Sequence, residues 1–375
     1  MNALHALHAL RAPGTVVVSG VGLALPGADT PDALLRGAHA PGCAPGPFDT
    51  GARIGRRGHR YKDRATQLAL CAALDALRDA ALVPADSADG GELTVPGDTV
   101  GVVASSNLGN LDTACLTAAA IAEDSARSLS PMSLPNASSN VIASWVAIRH
   151  GLRGPNLMLC NGPTSGLDAV HWAATLVAAG RVRRALVVGV ETHNAVVEDL
   201  LARPADDLLD GAAALVVEGA HWAEERGARA VAVLGPYERR AGLAGCVRAL
   251  LPEGGEGPGV WFTPERYEEP GADVGVPVPP AVPRHDVTTA VGRASGALGV
   301  LQCAAAVGWL GTDAAGAGAG AGEALITSGD DTADAVAGLL LRGPGAPPSE
   351  TSEVSEFSAI SVVSANSANS AMECT

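Results

Sequence analysis

The sequence predicts an α/β protein in which helices cover both faces of a sheet. Short apolar runs alternate along the chain with longer segments whose apolar side chains recur at helical spacing. Only 3% of the residues are aromatic although 47% are hydrophobic, so the core must consist mainly of closely packed Ala, Val and Leu. Because strands that are apolar throughout are typical of sheets buried on both faces, we expect a mainly parallel sheet.

The predicted elements form two similar series. The first series is strand 16–18, helix 65–82, strand 100–103, a helix ending at 150, strand 157–160, helix 166–179 and strand 185–190. The second series is strands 212–218 and 230–234, helix 297–310, and strands 324–327 and 335–341. We therefore divide the chain into an N-terminal extension (1–12), an N-terminal half (13–204), a C-terminal half (205–342) and a tail (343–375). The tail is rich in Pro, Ser and Glu, and we expect it to be disordered.

Composition excludes several classes of function. A net charge of −15 opposes binding to nucleic acid, whose phosphates require an excess of basic residues. The seven cysteines are odd in number and widely spaced, which predicts neither a disulfide framework nor a metal site. The N-terminus lacks the pattern of a signal peptide, and the longest apolar stretch, 296–311, is too short to span a bilayer. We expect a cytoplasmic protein that needs no cofactor and contacts no membrane.

The most informative segment is 151–191, GLRGPNLMLCNGPTSGLDAVHWAATLVAAGRVRRALVVGVE. It resembles the nucleophile region of β-ketoacyl synthases, the condensing enzymes of fatty-acid and polyketide assembly. Six further blocks match the family in order: VVVSGVGLALP, YKDRATQLAL at 61–70, VGVVASSNLGN at 100–110, residues 131–153, DGAAALVVE at 210–218 and VGRASGALGV at 291–300. The resemblance implies a thiolase-like fold with two pseudo-symmetric βαβ halves in five alternating helix and sheet layers. The strand at 210–218 would open the second half.

The resemblance also implies a catalytic apparatus, which this sequence lacks. Condensation needs a Cys thiolate at a helix N-terminus, two His residues, a Lys, and two backbone N–H donors for the oxyanion. The nucleophile position falls on Pro163, which has neither a thiol nor an N–H. The Lys position falls on Thr288 and the second His position on Arg293. The stretch 258–275, where the first His is expected, contains no histidine, and the late Gly-Phe-Gly-Gly loop is replaced by Ser328-Gly329-Asp330-Asp331.

Two residues near Pro163 are candidates for a relocated nucleophile, Cys160 and Ser165. Either one would make the protein an acyltransferase or a thioesterase on the same scaffold. We expect Cys160 to be a buried structural thiol inside its strand, since free cysteines are among the most buried residues. We expect Ser165 to be a small residue that allows two helices to approach each other.

The segment RIGRRGHRYKDR at 53–64 is basic in an otherwise acidic protein. One interpretation is a solvated loop. The other is a docking surface for an acidic carrier protein or a partner subunit. A local cluster of positive charge can attract an acidic protein even though the net charge of the whole chain is negative. The residues concerned are Arg53, Arg56, Arg57, Arg60, Lys62 and Arg64.

The function that the resemblance implies is that of a catalytically silent ketosynthase homologue, similar to the chain-length-factor subunits of type II polyketide synthases. Such a subunit pairs with an active ketosynthase, meets an acyl carrier protein and lines the tunnel in which the acyl chain grows. Family members dimerise across a strand near the nucleophile segment, so we expect a contact around 155–162. A homodimeric protein that binds acyl chains or carrier protein remains the other alternative.

Overall fold

The computed structural model describes residues 14–36, 46–85, 91–131, 134–251, 257–265, 275–312, 322–329 and 334–345. The predicted extension and all of the predicted tail beyond residue 345 lie outside these ranges. None of the helices in the described ranges is long and apolar enough to cross a membrane.

The described residues form ten strands: β1 (Val16–Ala24), β2 (Val100–Ser105), β3 (Asn156–Leu159), β4 (Arg184–Glu191), β5 (Gly211–Gly219), β6 (Ala232–Arg240), β7 (Val260–Phe262), β8 (Arg284–His285), β9 (Glu323–Ser328) and β10 (Val336–Arg342). The α-helices are α1 (Thr50–Ile54), α2 (Arg64–Asp79), α3 (Leu111–Glu123), α4 (Val141–His150), α5 (Ser165–Ala178), α6 (Ala195–Leu201), α7 (Ala220–Glu225), α8 (Leu243–Leu250), α9 (Thr288–Val291) and α10 (Leu298–Leu310). Every strand and helix predicted from the sequence is present, with bounds that differ by a few residues.

The strand order of the sheet is β3-β2-β4-β5-β1-β6-β10-β9-β7-β8. Read inward from one edge it is β3-β2-β4-β5-β1, and read inward from the other edge it is β8-β7-β9-β10-β6. The two series correspond strand by strand, because each strand of the second is five places later in the chain order. The two sets of five strands are joined only where β1 meets β6, at Val17↔Val233 and Val18↔Ala232. This order confirms the two pseudo-symmetric halves.

Two expectations about the sheet were wrong. The sheet is mixed: β2 is parallel to β3 and β4, and β7 is parallel to β8 and β9, whereas the other neighbours are antiparallel. Continuous apolar strands reflect burial on both faces, which helices provide here whatever the strand direction. In addition, β5 lies between β4 and β1 and thus completes the first set of five strands rather than opening the second. Its long pairing with β1 joins residues about 200 positions apart, which no local pattern reveals.

Helices and sheets alternate in five layers. One outer layer contains α2, which packs on β1 and β5, and the other contains α8, which packs on β6 and β10. Between the two sets of strands lie α5 and α10, which contact β4 and β9 respectively and also each other. The outer helix approaches very closely, because a Cβ added to Gly22 of β1 would lie 2.1 Å from the Ala72 carbonyl oxygen. The layered architecture implied by the resemblance is confirmed.

The two central helices cross with their backbones in contact. Gly166 is the second residue of α5, and Gly299 is the second residue of α10. A Cβ on Gly166 would lie 2.6 Å from the Gly299 nitrogen, and a Cβ on Gly299 would lie 2.3 Å from the Leu167 nitrogen. Only residues without a side chain fit at this crossing, and it brings the N-termini of the two helices together.

Replacing the glycine at the crossing should destabilise the protein. We expect Gly299→Ala to lower the free energy of unfolding by about 1–3 kcal/mol, the usual cost of overpacking. Gly245→Ala is the matched control, since Gly245 is also helical and an added Cβ there meets no atom within 4 Å. That change should be neutral or stabilising. Urea titrations measure both, and equal midpoints for the two variants would contradict the close crossing.

His150 should make stability depend on pH. It is buried at the end of α4, and neither ring nitrogen has a hydrogen-bond partner among the described residues. Burial, together with the nearby Arg149 and Arg78, lowers its pKa from 6.5 to about 4. The unfolded chain therefore binds the extra proton first, so the contribution of His150 to stability is complete above pH 6.5 and falls by roughly 3 kcal/mol as pH drops toward 4.

Denaturant titrations between pH 4 and pH 7 test this dependence. The variant His150→Leu cannot take up the proton, so its stability should fall less than that of the wild type as pH drops through that window. His221→Gln, a change at an exposed histidine, should retain it. The same slope in wild type and His150→Leu would exclude His150 as its source.

Candidate functional site

A cavity of about 1290 Å³ lies between the two halves of the fold. The first half contributes residues from the end of β4, the turn before α5, and α6, and the second half contributes β6, Glu265 and the turn at 293–295. Its apolar wall consists of Leu108, Val197, Leu201, Leu208, Leu209 and Leu298. Its volume exceeds the range of roughly 300–1,000 Å³ that is typical of small-molecule sites.

Pro163 lies in the cavity wall at the position that the resemblance gives to the nucleophile. It belongs to a 3-10 turn, Gly162–Thr164, which leads directly into α5. Gly162 has a φ of +73°, a conformation that glycine adopts without strain. Proline fits the first turn of a helix because the N–H it lacks has no intrahelical acceptor there. Pro163 is therefore compatible with the turn that leads into α5, and it offers neither a nucleophile nor an N–H.

Ser165 is fully enclosed by the turn that it stabilises. Its side chain has no exposed surface. The hydroxyl accepts the Asn161 N–H at 2.6 Å and lies 2.8 Å from the Gly162 carbonyl and 3.1 Å from Asn107 Oδ1, the two acceptors for its proton. A nucleophile must reach its substrate, and this hydroxyl does not line the cavity.

Cys160 is not the buried structural thiol that we expected. It lies just beyond β3, which ends at Leu159, and it is exposed and lines the cavity. The reason is that β3 is the outermost strand of the sheet, so no further strand covers this end of the chain. Desolvation of the thiol and the nearby charge of Glu191 raise its pKa above the usual value. The thiol is accessible but is not activated as a thiolate.

Glu191, at the end of β4, connects the loop after β2 to the turn before α10. It is buried, and its carboxyl accepts hydrogen bonds from Ser106 Oγ (3.0 Å), Asn107 N (2.6 Å), Leu108 N (3.0 Å) and Gly296 N (3.1 Å). Burial raises its pKa to about 7. Glu191 was not among the site residues predicted from the sequence, although a carboxylate that closes an otherwise apolar strand was a visible signal.

Asn107 joins the two turns that precede the central helices. Its Nδ2 donates to the Gly162 carbonyl at 2.9 Å and to Ser295 Oγ at 2.9 Å. Its Oδ1 accepts the Gly162 N–H at 3.3 Å. One side chain thus fixes the turn before α5 relative to the turn before α10. This role also escaped the sequence analysis, since Asn in a loop carries no specific signal.

An ion pair stands where the resemblance places histidines. Arg293 Nε lies 2.9 Å from Glu265 Oε1, and Glu265 lies within the stretch where the first His was expected. The other oxygen of Glu265 accepts the N–H groups of Ala294 at 3.1 Å and Ser295 at 3.0 Å. Arg293 and Glu265 both line the cavity. An Arg–Glu ion pair contains no imidazole, the side chain that most often serves as a general acid or base.

The other predicted positions are separate from this pair. Thr288 does not line the cavity, and its N–H and hydroxyl both bond to Asp286 Oδ1, at 2.8 and 2.6 Å. Gly329 lines the cavity with a φ of +86°. Its neighbours Asp330 and Asp331 lie outside the described residues.

A second polar cluster joins α5 to β6 at the far side of the cavity. Asp168 is buried and accepts hydrogen bonds from Asn161 Nδ2 at 3.0 Å and from the Tyr237 hydroxyl, and Arg239 Nε lies 3.6 Å away. His171 stacks on the Tyr237 ring with centroids 4.1 Å apart. Burial lowers the pKa of His171, which keeps the imidazole neutral at neutral pH. Sequence analysis did not bring these residues together because α5 and β6 are far apart along the chain.

The structure divides the basic segment into two groups. Arg53 pairs with Asp75 at 2.7 Å and Arg64 with Asp210 at 2.7 Å. The Lys62 ammonium lies 4.1 Å from the centroid of a tryptophan ring. These three side chains hold the local fold together. The remaining three are exposed: Arg56, Arg57 and Arg60.

Comparison with known sequences gives partial matches to one family. A model of the β-ketoacyl synthase N-terminal domain matches residues 46–198. The 3-oxoacyl-[acyl-carrier-protein] synthase 2 of Vibrio harveyi is 30% identical over 145 residues, which are 38% of this chain and 33% of that enzyme. The Staphylococcus aureus protein of the same name is 28% identical over 229 residues, 55% of each chain. The chain therefore spans about a third to about half of the length of these relatives.

Solved structures match most of the chain. The ishigamide ketosynthase/chain length factor has a TM-score of 0.66 at 24% identity, and a β-ketoacyl synthase from Burkholderia phymatum STM815 has a TM-score of 0.67 at 17% identity. A type II PKS acyl-carrier protein in complex with its ketosynthase bound to the hexaketide matches at a TM-score of 0.67 and 16% identity. Each match covers 88% of this chain and 99% of the other, and each shows the shared fold. Residues 46–198 therefore resemble the N-terminal domain of β-ketoacyl synthases, and the described part of the chain has the thiolase-like fold of the ketosynthases it matches.

Proposed function

We propose that the protein is a non-condensing ketosynthase homologue that pairs in the cytoplasm with an active β-ketoacyl-[acyl-carrier-protein] synthase and shapes its acyl tunnel. The observation that carries the proposal is Pro163, in the wall of the cavity between the two halves of the fold. Arg293 and Glu265 support it, because an ion pair there contains no imidazole for acid–base catalysis. A protein with such a cavity and no nucleophile at residue 163 is suited to guiding a chain that its partner carries.

The chemistry of condensation explains why Pro163 is decisive. The acyl group must first move from its carrier to a thiol on the enzyme, and the tetrahedral intermediate needs two N–H donors. Proline supplies neither the sulfur nor the N–H of its own residue. Substituting cysteine would restore both at residue 163 and still leave Arg293 in place of histidine.

Two features of the surface support pairing with another subunit. Among the described strands, β3 pairs only with β2, so the backbone along its other edge is free. Helix α3 has no buried side chain and leaves Leu116 65% and Ile121 46% exposed, and α6 beside it leaves Leu200 62% exposed. An unpaired strand edge and exposed apolar side chains on neighbouring helices are each typical of protein–protein contacts.

Arg56, Arg57 and Arg60 support contact with an acidic carrier protein. They are exposed on a chain whose net charge is −15, so they form a local basic surface. Such a surface steers association with an acidic partner at low ionic strength.

Cys160 gives a second candidate function, an acyltransferase or thioesterase with a relocated nucleophile. The observation in its favour is that Cys160 is exposed and lines the cavity. Its raised pKa opposes the idea, because only the thiolate attacks a thioester. Ser165 is less favourable, since it is enclosed and its proton is already directed at two acceptors.

Covalent loading separates these functions. We expect the intact mass of the protein to be unchanged after incubation with acyl-loaded or malonyl-loaded carrier protein, since none of the described residues that line the cavity is an activated nucleophile. An active ketosynthase in the same mixture serves as the positive control. Pro163→Cys should still give no condensation product. A stoichiometric adduct that disappears in Cys160→Ser would overturn the non-condensing proposal and assign an acyltransferase activity.

Pairing through β3 should depend on the backbone N–H groups along its free edge. The Val102 N–H donates to the Pro155 carbonyl, and the Ser106 N–H donates to the Leu159 carbonyl. The backbone groups of residues 155, 157 and 159 therefore face β2. Because successive residues of a strand alternate in direction, Met158 directs its N–H toward the free edge. Met158→Pro removes that donor, which an edge strand tolerates on its free side. We expect this variant to lose at least tenfold in affinity for its ketosynthase.

Met158→Ala is the matched control, because it shortens the same side chain and keeps the N–H. Analytical ultracentrifugation of the co-purified pair measures both variants, with thermal melting to confirm that each folds. Equal affinity of the two variants would exclude β3 as the contact. A stable homodimer formed by the wild-type chain alone would favour the homodimeric binding protein.

A further inference from the structure

Arg293 is held rigidly at the cavity wall. Its N–H donates to the Asp207 carbonyl at 2.9 Å, and its carbonyl accepts the Leu209 N–H at 3.1 Å. Its Nε lies 2.9 Å from Glu265 Oε1, and the side chain is 24% exposed. Among the described residues, no second carboxylate pairs with this guanidinium, and its terminal amino groups make no hydrogen bond. Arg293 thus presents a preorganised pair of donors in the cavity.

Ser295 adds a third donor on the same turn. Its hydroxyl oxygen accepts Asn107 Nδ2 at 2.9 Å, and its own proton has no acceptor within the described part of the chain. Ser295 has a φ of +41°, which is strained for a residue with a side chain. Glu265 stabilises this conformation by accepting the Ser295 N–H at 3.0 Å. Strain that the surroundings maintain is common where a site needs a fixed geometry.

Glu265 does not cancel the donor capacity of Arg293. One of its oxygens faces Nε, and the other is occupied by the N–H groups of Ala294 and Ser295. An arginine has five N–H donors, so a carboxylate on Nε leaves the two terminal amino groups for another anion. A planar carboxylate matches this fork through two parallel hydrogen bonds.

The cavity next to Arg293 is apolar. Leu208 and Leu209 adjoin it directly, since Leu208 forms a bridge with Arg293 and Leu209 bonds to its carbonyl. Leu298, Val197 and Leu201 continue this wall. A volume of about 1290 Å³ accommodates a long chain beyond the charged end. The site therefore combines an anion-binding end with an apolar body.

We propose that the cavity binds a carboxylate with a long apolar chain, a fatty-acid-like ligand, with the carboxylate on Arg293 and Ser295. The inference rests on the non-condensing site described above: without a nucleophile at residue 163, a chain in this cavity is held by non-covalent contacts alone. The thioester of a covalently loaded chain is neutral. A free carboxylate carries a negative charge, to which Arg293 can bind.

The probes are decanoate and 1-decanol, which share a chain length and differ in the head group. Isothermal titration calorimetry on the full chain at pH 8 should show decanoate binding at least tenfold more tightly than decanol. Arg293→Leu should remove this preference, and Ser295→Ala should reduce it severalfold. Arg203→Leu is the matched control, since Arg203 also lines the cavity and pairs with Asp207 at 3.8 Å. It should keep the preference.

Equal affinities for the two probes in the wild type would overturn the inference, as would an equal loss in Arg203→Leu and Arg293→Leu. If Arg293→Leu does not fold, Arg293→Gln and Arg293→Lys replace it, and only the lysine variant should retain a preference for decanoate. Failure of the proposed function would appear differently, as a covalent adduct in the carrier-protein assay, whatever the decanoate titration shows.

Discussion

The contact between Gly166 and Gly299 determines where every group in the cavity lies. Each glycine is the second residue of a central helix, and each leaves no room for a Cβ because the backbone of the other helix is in contact. This close crossing places the turn that contains Pro163 beside the turn that contains Ser295. Asn107 then bonds to both turns, and Glu191 joins the second turn to the loop after β2. The hydrogen bonds depend on a proximity that only glycine permits.

Hydrogen bonds within the fold hold the cavity wall together, and they do not depend on the groups that condensation would need. Glu191, Asn107 and Ser165 have their hydrogen bonds satisfied within the fold, and none of them needs a reactive neighbour. Pro163 and Arg293, at the positions that the resemblance gives to reactive groups, fit into that framework. A fold can keep its scaffold and lose its chemistry, so a shared fold alone does not establish an activity.

Local sequence patterns predicted the secondary structure, but they did not reveal features that depend on contacts between residues far apart along the chain. Strands, helices and the position of Pro163 followed from runs and motifs within about forty residues. The donors to Glu191 lie between 83 and 105 residues away along the chain, so its role was invisible. The exposure of Cys160 depends on β3 being the outermost strand, and strand order is a property of the whole sheet. The antiparallel placement of β5 was missed for the same reason.

The strand order also limits how large an assembly built on sheet edges can become. The sheet ends at β3 on one side and at β8 on the other. Strand β8 has only two residues, Arg284–His285, and offers too few backbone groups for a neighbour to pair with. Growth by strand addition is thus open at one edge and blocked at the other. A subunit joined at β3 would complete a closed pair, and the same geometry that permits a dimer prevents an open-ended fibre.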